Sequence, residues 1–144
     1  MKPNTLARLD MLAAEQETQL LDAIRRHNAT LEQALQQRDM LASYRERLSA
    51  SWQNGAPVQA AQARRAMQFA NASHGADAQI GQAAQRAREQ LEAAITSLGQ
   101  IQARRRALAE AMRKQALQDE REAEQRMERD IPWRPDAGRF RRSA

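Results

Sequence analysis

The chain has 144 residues, of which 3% are aromatic and 28% charged, with five glycines, four prolines and no cysteine. So few large side chains poorly equip it for a compact globular core. So few turn-formers argue against a β-sandwich, a barrel or a collagen-like chain. The missing cysteines exclude disulfide scaffolds, thiol nucleophiles and cysteine-based zinc or iron–sulfur sites. Net charge is +5, and 21 of the 23 basic residues are arginine. Residues 1–103 carry 11 basic and 10 acidic residues, so most of the excess lies in 104–144, with 12 and 8. Interspersed signs on a helix usually mean a solvated face.

The first segment reads as a helix from about Asn4 to Trp52, with Asn4 or Thr5 as the expected cap. Some of its large apolar residues follow a heptad (Leu6, Leu20, Leu41, Leu48). Others follow eleven-residue steps (Leu9, Leu20, Leu31, and Ile24 to Leu35). Mixed periods predict weak supercoiling and a nearly straight helix. The run Gln53-Asn54-Gly55-Ala56-Pro57 is the clear break, since Asn-Gly favours a turn and proline suits a first helical position.

A second helix is expected from about Pro57 to Asp130. One heptad row holds Ala84, Leu91, Leu98 and Met112, with Arg105 interrupting; the other holds Ile80, Ala87, Ala94, Ile101 and Leu108. The pattern blurs around residues 71–75. A weak but continuous helix is the favoured reading there, and a break giving three helices is the alternative. Pro132 stops the helix, and residues 132–144 read as a flexible basic tail. Folding back about Gly55 makes facing positions sum to about 110, as Leu9 with Ile101, Leu12 with Leu98 and Leu41 with Phe69 do.

The expected fold is therefore all-α: two long helices forming an antiparallel coiled-coil hairpin over 4–131, with the turn at about 53–57. The second helix outruns the first after about Arg105. A polar overhang of this kind either frays or enters a partner.

Catalytic constellations are missing. His27 and His74 lie far apart, and a metal site needs more converging ligands. The glycines form no phosphate loop. Carboxylates such as Glu15, Glu17, Glu120, Glu122 and Glu124 sit on polar faces without a pocket to shift them. No enzyme activity, cofactor, metal or small-molecule substrate is expected. The start lacks an apolar signal core and no run is long enough to span a membrane, so a soluble cytoplasmic protein is expected. Arg104, Arg105 and Arg106 read either as a solvated stretch covering the hairpin end or as a contact for an acidic partner. Trp133 and Phe140 sit in a tail that is disordered or orders on docking. Phe69 reads as seam packing. Nucleic-acid binding through the basic tail is a minor reading, and such backbone-driven binding must weaken steeply with salt.

Certain stretches carry a family resemblance: Leu41-Ala-Ser-Tyr44-Arg45-Glu-Arg47-Leu48 before the turn, the turn at Gly55, Ala66-Met67-Gln68-Phe69 and Ile80 after it, and the charged run Arg113-Lys114-Gln115 to Glu122-Ala-Glu124-Gln125-Arg126. Over about residues 6–130 the chain resembles the FliJ/YscO group, central-stalk proteins of flagellar and virulence type III secretion. The resemblance implies a hairpin similar to the γ stalk of rotary ATPases, with its termini end in the pore of a hexameric export ATPase. It implies a face on the second helix that touches the membrane-bound export gate, and in some members binding to escort chaperones of secreted subunits. By position, ATPase-contact candidates are Arg104, Arg105, Arg106, Arg113, Lys114 and Arg121. Gate-contact candidates are Phe69, Ala76 and Ile80; Ser73 stands where the family commonly has a larger apolar residue. The competing reading is a coiled-coil adaptor or chaperone of another assembly, dimerising through an exposed 108–130 stripe.

Overall fold

The structure, a computed structural model, describes residues 2–53 and 59–131. Every described residue except Lys2, Gln59 and Ile131 is helical. Helix α1 spans Pro3–Gln53 and helix α2 spans Ala60–Asp130, about 77 and 107 Å at 1.5 Å per residue. The two pack against each other, and the described residues contain no strand. The Asn54–Pro57 turn and the 132–144 tail lie outside the described residues.

The start of α1 differs from expectation. The Lys2 carbonyl accepts from the Thr5 and Leu6 amides at 3.0 and 3.2 Å, so Asn4 and Thr5 lie inside the first turn and do not cap it. Pro3 explains this. Its ring presets a helical φ, and its missing N–H would be an orphan there in any case. At the far end, α2 runs unbroken through residues 71–75. It closes with Ile131 donating to the Met127 carbonyl at 2.9 Å, just before Pro132.

Burial follows a single seven-residue period on both helices. On α1 the covered positions step by four and three from Leu6 through Asp10, Ala13 and Glu17 to Leu48; Arg38 alone on these rows is exposed. On α2 the same stepping runs without a gap from Ala66 through Ser73 and Asp77 to Gln115. Both heptad rows expected on α2 are covered, Arg105 included. The eleven-residue row on α1 does not govern packing. Leu9 and Leu12 are 39% and 58% exposed, so neither takes the seam position expected of it. An a/d stripe on paired helices repeats every 3.5 residues, and residues off it turn outward whatever their hydrophobicity.

The buried side chains are small. Apart from Leu6 they are Ala13, Ala34, Ala84, Ala87, Ala94 and Ser73. Alanine at these points lets backbones approach closely at little entropic cost. Burial here comes from backbone proximity and half-covered leucines, which is how a chain this poor in aromatics builds a seam.

The chain forms two compact units, Glu15–Gln102 and Met1–Ala14 with Ala103–Ala144. In the first, the helices are antiparallel: Tyr44 meets Phe69, Arg38 meets Asp77 and Arg45 meets His74. These position numbers sum to 113, 115 and 119, above the expected 110. Helical side chains lean toward their own N-termini. In an antiparallel pair, tips therefore meet only when both Cα atoms lie further along their chains than the facing level. In the second unit, Asp10 meets Arg105, summing to 115, for the same reason.

Candidate interaction surfaces

Charge enters the seam in both units, and each entry is paired. In the Glu15–Gln102 unit, Arg38 Nε donates to Asp77 Oδ1 at 3.1 Å and its Nη2 to Oδ2 at 3.5 Å. Arg45 Nη2, one heptad further along α1, lies 3.9 Å from Asp77 Oδ1. Arg45 Nη1 also donates to His74 Nδ1 at 3.2 Å, which requires that nitrogen to be unprotonated. The Arg38 hydrogen bond holds the Asp77 carboxyl below the usual carboxylate range; the charges of Arg38 and Arg45 add to this, and partial desolvation opposes it. Polar groups at core positions cost stability and specify register. One carboxylate answering two arginines a heptad apart suits that role.

Beside this cluster lie all the described aromatic residues. Phe69, half-buried, meets the Tyr44 ring edge-on, with centroids 4.9 Å apart and planes at 62°. The Arg47 guanidinium sits 5.9 Å from the Tyr44 centroid. Two open grooves flank Phe69. One, about 280 Å³, is lined by Arg45, Leu48, Ser49, Trp52, Phe69 and His74. The other, about 540 Å³, is lined by Asp39, Met40, Leu41, Tyr44, Arg47 and Phe69. Met40 and Met67 are 71% and 69% exposed. The expected assignment of Phe69 to seam packing is thus half met, since its ring also walls both grooves. Among the other gate-contact candidates, Ala76 is half-buried beside the seam. Ile80 is half-buried on a core row.

In the second unit the arginine triplet splits. Arg104 and Arg106 are exposed, while Arg105 is half-covered and donates from Nε to Asp10 Oδ1 at 3.1 Å. Arg105 is thus a seam partner. Arg113 Nη2 donates to Glu110 Oε2 at 2.6 Å. That bond holds the Glu110 carboxyl below its usual range; the charges of Arg113 and Lys114 add to this, and partial desolvation opposes it. Lys114 and Arg121 are exposed.

Coverage on α2 ends at Gln115, and every residue from 116 to 131 is exposed. The overhang therefore begins some ten residues later than the expected Arg105. Side chains in the first turns of α1 lean toward their own N-terminus, which carries Leu6 along α2 past the facing level. Residues 103–115 hold five basic residues and one acid, while 116–131 hold three basic residues and six acids. A basic collar thus precedes an acidic single helix, which is supported along its surface by Gln115 to Asp119 and Gln118 to Glu122 hydrogen bonds.

The residues that sequence reasoning missed are Asp10, Arg38, Arg45 and Asp77. Each falls on a heptad row, yet none belongs to the apolar pattern that marks it: Asp10, Arg38 and Arg45 interrupt the leucines of α1, and Asp77 lies just before Ile80, where the apolar rows of α2 begin. Among the described residues no helix is long and apolar enough to cross a membrane. No group of three potential ligands is placed there to hold a metal. No protein-family model, curated protein or solved structure matches the chain.

Proposed function

We propose that this chain is a non-enzymatic stalk protein of a type III secretion system, inserting its termini end into a hexameric export ATPase and linking it to the export gate. The observation that carries the reading is the continuation of α2 beyond Gln115 as a single exposed helix behind a basic collar. A predominantly polar helix with no covered face is suited to bridging into another body. Sparse large apolar groups on it suit a reversible contact in a ring, where buried aromatic anchors would hold tightly. Arg104, Arg106, Lys114 and Arg121 present charge outward. Arg105 and Arg113 hold Asp10 and Glu110 and act by shaping the collar. Phe69 and Ala76 form the gate-side face, with Ile80 supporting it from the seam. In this reading the protein works in the cytoplasm and reaches the membrane only through partners.

The test is ATP hydrolysis by the cognate export ATPase with and without the chain, beside a pulldown. Binding and a rise in turnover are expected, both weakened by Arg104→Glu with Arg106→Glu while circular dichroism stays unchanged. No binding by the wild-type chain would sink the stalk reading. The exposed Met40, Tyr44 and Met67 would then favour a coiled-coil adaptor working through its groove-bearing surface.

A further inference from the structure

We infer that the two helices have a second matched register, reached when α1 slides one heptad along α2 toward the C-terminus of α2. The seam charges carry the argument. Asp77 takes two hydrogen bonds from Arg38 and lies 3.9 Å from Arg45, so one acid faces two arginines seven positions apart. The pairs Arg38–Asp77 and Asp10–Arg105 both sum to 115. Raising the sum to 122 puts Arg45 in the place that Arg38 holds before Asp77. By the same arithmetic it puts Glu17 in the place that Asp10 holds before Arg105. Glu17 is half-covered and follows Asp10 by one heptad on the same row. Each charged residue on the covered rows of α2 thus meets an opposite charge in either register. The step is about 10 Å at 1.5 Å per residue.

The opposite step has no such match. It puts Leu31 in the place of Arg38 and Pro3 in the place of Asp10. Both seam hydrogen bonds are then lost, and Arg38 keeps only the outlying place that Arg45 holds now. The slide is therefore one-way. The covered rows repeat every seven residues on both helices, so a whole-heptad step keeps the covered faces together. Gly81 keeps the receiving place open. The Arg38 guanidinium lies 3.6 Å from where a Gly81 Cβ would stand, and the same space admits Arg45. At the other end of the step, the slide draws on the start of α2. Ala63 is the one covered residue among 60–65, so little packing is given up there.

The observed register is the ground state, because it alone keeps Tyr44 against Phe69 and Arg45 against His74. The slide carries Tyr44 seven residues along α2, from Phe69 to about Ala76. That dismantles the aromatic pair and with it both grooves beside Phe69. Packed elements do pass one another by discrete helical steps, and a ligand shifts such an equilibrium by preferring one state. A partner seated in the grooves would hold the observed register. The inference rests on the seam alone and stands apart from the secretion reading.

The chain has no cysteine, so pairs of nitroxide labels on introduced cysteines read the register by electron–electron resonance distances. The labels go on exposed glutamines of the full-length chain, as Gln19→Cys with Gln68→Cys and as Gln36→Cys with Gln100→Cys. The slide lengthens the first distance and shortens the second, each by about 10 Å. A minor second distance is expected in the wild-type background. Arg38→Ala should raise its share about threefold to fivefold, the weight of one partly exposed ion pair. Arg45→Ala should lower it by a similar factor, with circular dichroism unchanged in both. A single distance in both the wild-type and the Arg38→Ala backgrounds overturns the inference. So does a second distance that moves the same way in both label pairs, or one that persists undiminished in Arg45→Ala. Those last two outcomes would mean fraying and not a matched register. ATPase binding is not read here, so failure of the slide and failure of the stalk reading are separate results.

Discussion

Ser73 is the one buried polar side chain among the described residues whose oxygen lacks a partner: it is 3% exposed and its Oγ makes no hydrogen bond. A buried hydroxyl left unsatisfied costs about 1–3 kcal/mol. Serine in a helix interior gives up about 0.5 kcal/mol more against alanine. Ser73→Ala removes both terms and loses the dispersion contacts of one small atom, well under 1 kcal/mol. The expected net gain is about 1–2 kcal/mol, or about 3–8 °C in melting temperature for a chain of this length. Thermal and urea unfolding followed at 222 nm would read it, with an unchanged denaturant slope. The mirror substitution Ala84→Ser, at a site 1% exposed, should lose about as much by the same mechanism. If Ser73→Ala is neutral or destabilising while Ala84→Ser is costly, the hydroxyl at 73 is satisfied and the reasoning fails.

Gly75 and Gly99 lie inside α2 with nothing within 4 Å of an added Cβ. Each change to alanine should therefore raise stability by about 0.5–1 kcal/mol, and the two should add because about 36 Å of helix separates them. Urea midpoints of the two single variants and the double would show it. Asp77 has a folded pKa below its reference of 3.8. Its contribution is therefore present above the reference value and lost as pH falls through the folded one. The stability gap between wild type and Asp77→Asn should be flat above about pH 5 and shrink toward pH 3; a gap independent of pH would contradict the pairing. Arg105→Ala should destabilise by up to about 1 kcal/mol, the upper range for partly exposed pairs. Arg104→Ala and Arg106→Ala should be silent in the same melts, since neither side chain is covered.

Much of this architecture was legible because helical periodicity is a local property. Five glycines and four prolines in 144 residues leave few places to stop a helix. Leu91, Leu98, Ile101 and Leu108 mark the α2 seam by spacing alone. Three features needed the partner helix. Leu9 and Leu12 are as hydrophobic as Leu6, and only the geometry of two helices in contact sends them outward. Arg105 reads as one of three equivalent arginines until Asp10 arrives opposite it. Tyr44 and Phe69 are 25 positions apart, and their joint surface with Arg47 exists only after the chain has folded back.

By itself, then, the sequence determined that there are two long helices, roughly where they end, and which face of α2 is apolar. Those outcomes depend on backbone hydrogen bonds and on spacing within a single helix. The tertiary structure decided which period rules α1, where α2 becomes a lone helix, and which charges are locked in the seam. Each of those depends on what stands across the interface. A one-helix pattern cannot contain that information, because side chains lean and reach along the axis, and their partner is chosen by the opposing helix.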